Sequence, residues 1–428
     1  MFFVTILMLI LFFFINYKIY HSDFIAPACV YSFSLLVPAL YALFWYDLWE
    51  LRTYSVKTFF VIFVAVFTFS IVSGITYNAL NGNRILIKSR QFDVCANKSS
   101  DNKIAFGGGK LLLLLIIGFF TLKLALDFFK TYGDDLASSI IAYRLDFVKE
   151  EKRMPKLLSF LLNFCMLSGY FSSYIFINNL LCAKKIEFGW ICAFLGSIML
   201  SLFGGSRGGA VSVIFVAAGI FYIIYQHNPR KLPPMKMKKN FLKAILFGGI
   251  TGFVFFIISA SWIGRTNDFS PLYYFAIYFS APLKNLDLYI PLIELGRELD
   301  FMEINGASLG NVGTVLAFEY QYGGFWGVIS FTALSSVIYT VTYIYMRRWR
   351  FESDKINFSA IIYSYMFYSL CIVMFGGTSI TSIFSLFFVK IFIGLIVLNY
   401  FFNFSFNRKR KSWGLGKTHS IFCLRIKR

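Results

Sequence analysis

Ser201-Leu-Phe-Gly-Gly-Ser-Arg-Gly-Gly209 sets one arginine among glycines in the middle of a long apolar run. Its flanks, Phe188 to Phe203 and Ala210 to Gln226, are each apolar enough to cross a bilayer. The stretch therefore reads as a turn between two membrane helices, with a re-entrant pair as the alternative. Arg207 is expensive in such a place and should face water, a partner or a ligand. Glycines on both sides permit tight turning and leave backbone N–H groups accessible. A helix starting near Gly208 would also favour an anion at its N-terminus. The plainer account is a short loop whose arginine snorkels to the interface.

The rest of the chain reads the same way. Of its 428 residues, 58% are hydrophobic and 14% charged, with mean hydropathy +0.68. A soluble domain carries about 25% charged residues. The apolar residues fall in long runs, which makes this an all-α, polytopic integral membrane protein. The 54 Phe fit lipid-facing bulk better than a binding platform. A net charge of +20 could suggest nucleic acid, but basic loops at the cytoplasmic face account for it without any. None of the seven Cys forms a CxxC, and most lie in apolar segments, so neither a metal site nor a disulfide framework is expected. The first apolar run starts at Phe2 with no basic residue before it and no small-residue cleavage site. It is expected to be a retained span and not a signal peptide.

Eleven spans are expected in one transmembrane domain covering residues 1–428. They run Phe2–Tyr17, Phe24–Tyr46, Thr58–Leu80, Leu111–Phe129, Leu157–Asn179, Phe188–Phe203, Ala210–Gln226, Phe241–Trp262, Phe325–Met346, Phe358–Phe375 and Ile383–Phe401. With the N-terminus outside and the C-terminus inside, the inner loops and the basic tail at 403–428 hold most of the 41 Lys and Arg. Two outer segments result, 131–156 and a large loop at 263–324. A loop of the second size tends to be functional. Within it Leu286, Tyr289, Ile290 and Ile293 recur at helical spacing, with Asp287 and Glu294 on a neighbouring face. Such a helix could lie along the membrane surface.

Four of the arginines on the expected outer side stand out: Arg144, Arg207, Arg265 and Arg297. Guanidinium pairs bidentately with phosphate, so together they suit a pyrophosphate or an anionic sugar. Taken singly, Arg144 and Arg297 read as solvated charges, and Arg265 beside Trp262 as an interface anchor. His21, His227 and His419 all fall on the inner side. An outer general base would then be a carboxylate, with Glu319 and Asp287 as the candidates. Either could equally be a salt-bridge partner of the arginines. Lys123 and Asp127 lie four apart in the fourth span and can pair, or serve an ion relay. Lys390, with no local partner in sequence, should point into the bundle.

The Leu-Phe-Gly-Gly-Ser-Arg-Gly-Gly stretch resembles the outer turn of bacterial oligosaccharide repeat-unit polymerases, the O-antigen and capsule polymerases. Gly310-Asn-Val-Gly-Thr314, followed by Phe318-Glu-Tyr-Gln-Tyr-Gly-Gly-Phe-Trp-Gly327, is similar to the end of their large outer loop. Ala142-Tyr-Arg144 also fits. The resemblance implies a fold like that of membrane glycosyltransferases that use lipid-linked donors. It implies transfer of a growing glycan from undecaprenyl pyrophosphate to a new lipid-linked unit, at the outer face of the bacterial cytoplasmic (inner) membrane. Arg207 and Arg265 would stabilise the leaving pyrophosphate without a metal or cofactor. Glu319 or Asp287 would activate the acceptor hydroxyl, and Arg144, Arg297, Asn311 and Tyr320 would hold substrate. Membrane lipids, a chain-length regulator and a flippase are the implied partners.

Two other classes fit in part. An O-antigen ligase shares the helices and the large loop but is expected to use an outer histidine. A lipid-linked oligosaccharide flippase usually has repeated halves and short loops, and neither is present here.

Overall fold

The structure, a computed structural model, describes residues 1–81, 104, 108–148, 153–204, 208–227, 254–255, 257–258, 270–297, 302–310, 312–348, 354–375 and 385–403. The chain is mostly helical. The described helices are α1 (Phe2–Ile19), α2 (Pro27–Ala42), α3 (Val56–Asn81), α4 (Gly108–Phe129), α5 (Leu136–Val148), α6 (Lys156–Cys182), α7 (Phe188–Leu202) and α8 (Gly208–His227), then α9 (Pro271–Phe279), α10 (Ala281–Glu294), α11 (Val315–Arg348), α12 (Phe358–Cys371) and α13 (Leu386–Asn403). A hairpin of β1 (Met302–Ile304) and β2 (Ala307–Gly310) separates α10 from α11.

Eight described helices are long and apolar enough to cross a membrane, and α7 and α12 are shorter apolar helices. The chain is thus a helical membrane protein. The expected eighth span, 241–262, lies outside the described residues except for Val254, Phe255, Ile257 and Ile258, which are helical. The basic tail beyond Asn403 lies outside them as well.

Helices α3 and α11 share the most extensive helix–helix contact; α2 packs against both, and α1 against α2 and α3. A second group, α6, α7 and α8, joins the first through α12, which touches α8, α2 and α11. Close approach needs small residues. A methyl group on Gly169 of α6 would lie 2.1 Å from Ser197 Oγ of α7 and 3.2 Å from Val213 of α8. Helices α4 and α5 pack beside α6 and α7 through Phe129, Tyr143, Leu162 and Phe203. The outermost helices turn large apolar side chains outward, such as Leu7 and Leu11 on α1, Phe119 on α4 and Ile393 on α13. Lipid is the solvent that suits them.

The charges expected inside the bundle are elsewhere. Lys123 and Asp127 are both exposed, and no ion pair joins them among the described contacts. Lys390 is exposed too, contrary to expectation. Helix α13 packs on α6 with one face only, through Ile391, Leu395, Leu398 and Phe402, and Lys390 lies off that stripe.

The described residues of the expected large loop, 270–297, 302–310 and 312–324, are folded. Helix α10 buries Leu283, Leu286, Tyr289 and Ile290 and touches α2, α3 and α11. The expected apolar stripe is present, but it docks on other helices. Asn305 and Gly306, at φ 52° and 71°, make the tight turn between β1 and β2. Helix α11 starts at Val315, ahead of the expected ninth span, Phe325–Met346, which its second part contains. It breaks at Gly323 and Gly324, the latter at φ 57° and ψ −140°. Only glycine adopts that conformation without strain. The short first part folds back along the second, where a methyl group on Gly327 would meet the Glu319 carbonyl oxygen at 2.3 Å.

Gly169→Ala should wedge α6 from α7 and lower thermal stability in detergent by about 1–3 kcal/mol. Adding Ser197→Gly should restore part of the loss, and thermal unfolding of both variants checks this.

Candidate functional site

The expected outer residues that the structure describes gather at one end of the bundle, where α10 meets the start of α3 and the broken start of α11. Ser55 caps α3, its Oγ accepting from Thr58 N at 3.0 Å. The Asp287 carboxylate sits against that helix N-terminus. Its Oδ1 accepts from Ser55 N at 2.9 Å and from Thr58 Oγ1 at 2.7 Å, and its Oδ2 pairs with Lys284 Nζ at 3.0 Å. Lys284 also reaches Thr53 Oγ1 at 3.4 Å. Both members of the pair are almost fully buried. A helix N-terminus and a buried ammonium together hold a carboxylate as an anchor. Asp287 therefore pairs with a lysine of its own helix, and its oxygens are committed to structure.

Glu294, the last residue of α10, is bound by two groups. Lys57 of α3 pairs with it, and the Tyr320 hydroxyl donates to its Oε1 at 2.6 Å. The hydrogen bond from Lys57 is the larger cause, and that from Tyr320 the second, holding Glu294 below the usual carboxylate range. Glycine at φ 65° ends α10: Gly296 N bonds to Ile293 O and Arg297 N to Leu292 O, both at 3.0 Å. This leaves Arg297 exposed just past Glu294.

Glu319 lies on the folded-back start of α11 and is 3% exposed. Its Oε2 accepts from Thr332 Oγ1 at 3.1 Å. Of the two expected bases, Glu319 is the one not tied into an ion pair among the described contacts.

Asp287, Arg297, Glu319 and Tyr320 are thus brought to one end by α10 and α11. Arg144 belongs to α5, but its side chain lies outside the description. Arg207, Arg265 and Asn311 lie outside the described residues. Gly208, next to Arg207, is described, and its carbonyl accepts from Tyr368 of α12 at 3.2 Å. Soon after Tyr368, Phe375 packs on Phe279 of α9, so the start of α8 belongs to the end that carries α9 and α10.

Sequence reasoning did not single out Lys57, Lys284, Ser55 or Thr58. A signal for Ser55 existed: Ser-x-x-Thr just before an apolar run reads as a helix cap. Nothing local in the sequence links α10 to α3, because 229 residues separate Thr58 from Asp287.

No protein family, no curated protein and no solved structure matches this chain.

Lys284→Ala or Asp287→Ala should each destabilise the protein by about 3–5 kcal/mol, since each strands a buried charge. The double variant Lys284→Met/Asp287→Leu should recover part of that, and unfolding in detergent reads the coupling. Glu294 has a depressed folded pKa, so its contribution is present above the unfolded carboxylate value and lost as pH falls through the folded one. Between roughly pH 5 and pH 3, wild type should lose stability that Glu294→Gln never had, and thermal midpoints across that range check it.

Proposed function

We propose that this protein polymerises oligosaccharide repeat units linked to undecaprenyl pyrophosphate, as a glycosyltransferase of the bacterial cytoplasmic membrane. It passes the growing glycan from its lipid pyrophosphate to the free end of a new lipid-linked unit at the outer face. The product is O-antigen or capsule. The observation that carries this reading is the order of motifs along the sequence, in which segments holding Arg144, then Arg207, then Arg265 with Arg297 alternate with apolar spans. A chain-length regulator and a flippase are the partners such a reaction calls for.

A pyrophosphate leaving group gathers negative charge in the transition state, and positioned guanidinium groups stabilise it as a metal would. Arg207 and Arg265 take that role here, with Arg144 and Arg297 holding donor or acceptor. Asn311 and Tyr320 complete the substrate contacts. The acceptor hydroxyl must give up its proton, and Glu319 is the better candidate to take it, because Asp287 is occupied by Lys284, Ser55 and Thr58. The folded-back start of α11 carries Glu319 and Tyr320 beside the end of α10. The transporter alternative drew on Lys123, Asp127 and Lys390 inside the bundle, and their exposure withdraws that support.

Arg207→Ala, made at normal protein level, should abolish polymer and leave surface glycan capped with a single repeat unit. Electrophoresis of the surface glycan reads the outcome, and full-length polymer in that strain would refute the role. Polymer accumulating on the lipid carrier in a deletion strain would point to a ligase instead.

A further inference from the structure

A seam of polar groups runs through the apolar bundle between two buried carboxylates. Glu319, 3% exposed, heads it at the α10 end, and Asp23, 4% exposed, closes it at the other. Between them α11 buries two rows of hydroxyls at four-residue spacing. One row is Thr332, Ser336 and Thr340; the other is Ser335, Tyr339 and Tyr343. Four residues advance a helix by about 6 Å, so each row offers one hydroxyl per turn.

Neighbouring helices fill the spaces between. Thr332 Oγ1 donates to Glu319 at 3.1 Å. The Tyr339 hydroxyl meets Ser369 Oγ at 2.6 Å, Thr340 meets Ser73 at 2.7 Å, and Ser73 meets Tyr20. Asn16 donates to Ser70 at 2.9 Å and to Ser32 at 3.1 Å. Tyr343 donates to Asp23 Oδ2 at 2.7 Å.

Hydroxyls also serve as simple glue between membrane helices. Two features here exceed glue. The seam ends on a carboxylate at each end, and ionisable groups inside membrane proteins mark proton and ion routes. Along it, Asn16 Oδ1 is buried without a hydrogen-bond partner among the described residues, and the buried Tyr31 hydroxyl stands beside Thr332 and Glu319. Buried polar atoms of this kind bind water, and water bridges groups that one helical turn holds apart.

We propose that this seam is a proton relay between Asp23 and Glu319. A proton taken up by Asp23 passes to Tyr343. Each hydroxyl or water then releases its own proton forward as it accepts one from behind. Only O–H bonds form and break, nothing is oxidised, and the proton leaves from Glu319; the reverse direction uses the same groups. Asp23 is faced by Cys29 from α2, Tyr222 and Gln226 from α8, Tyr343 and Arg347 from α11, and Tyr363 from α12. Tyr20 from α1 packs on Tyr343, and Tyr77 from α3 lies beside Tyr343 and Arg347. Arg347, partly exposed, stands at the mouth. Glu319 is faced by Thr332 and Tyr339 from α11 and by Tyr31 from α2. The relay stands without the glycan reading.

The full-length protein in vesicles with a trapped pH dye tests it, with a potassium gradient and valinomycin supplying the driving voltage. Proton uptake should exceed that of protein-free vesicles, and should fall to that background in Glu319→Gln and Asp23→Asn. Thr332→Val and Tyr339→Phe remove a hydroxyl with little change of shape. They should lose most of the uptake while keeping the wild-type elution profile and thermal midpoint. Lys390→Ala, outside the seam, should match wild type. Wild-type uptake no faster than protein-free vesicles, or uptake unchanged in Thr332→Val and Tyr339→Phe, overturns the relay.

Discussion

The bundle depends on the Asp23 carboxylate finding its partners. An ionised carboxylate away from water is costly unless it is paired and hydrogen-bonded. Asp23 accepts from Tyr343 and Arg347 on one oxygen, and from Ile25 N and, more weakly, Tyr222 and Gln226 on the other. Those contacts fix the turn between α1 and α2 against the ends of α8 and α11. The turn itself is strained, with His21 and Ser22 at φ 53° and 66°. Non-glycine residues in that region cost on the order of 1–3 kcal/mol each, and such strain persists only where surrounding contacts hold it.

The same logic operates at the far end, with the charges reversed in role. There the carboxylate arrives from late in the sequence, as Asp287, and the early helix α3 supplies the N-terminus that receives it. Helix α3 is therefore held near both ends, by α10 at Ser55 and Thr58 and by α11 along its length. The result is a rigid α3–α11 core, while α4 and α13 ride outside it with most of their surface facing outward. Movement is more readily accommodated among those outer helices than in the core.

Most of the helices were legible because a bilayer core demands long apolar runs, and those survive in any reading of the sequence. The stripe Leu286, Tyr289, Ile290 was legible for a related reason, as a 3.6-residue period. What it docks against was not, since partner choice depends on groups more than 200 residues away. Asn305-Gly306 is a strong local hairpin signal, yet the flanking strands are only three and four residues long, too short for their alternation to stand out. Gly323-Gly324 read as the end of a large loop, whereas it is a break inside a helix. Asp23 passed unnoticed because a lone acid in a short turn is usually solvated. Its burial follows from Tyr222 and Tyr343, whose hydroxyls are invisible to hydropathy. For the site, sequence brought Asp287, Glu319 and Tyr320 into view, but only geometry separates the anchoring carboxylate of Asp287 from that of Glu319, which has no ion pair among the described residues.

The partners of Asp23 also impose an order on biosynthesis. Tyr343 lies 320 residues downstream, and Arg347 lies 324. While the ribosome is still making the middle of the chain, the first two helices must wait in the membrane with their carboxylate uncompensated. It can stay near the headgroups or carry a proton until α11 arrives. A nascent chain arrested before α11 is thus a poor substrate for stable insertion and a natural target for membrane quality control. Long-range closure of this kind makes assembly slow and exposes intermediates. The last third of the chain is what completes the first.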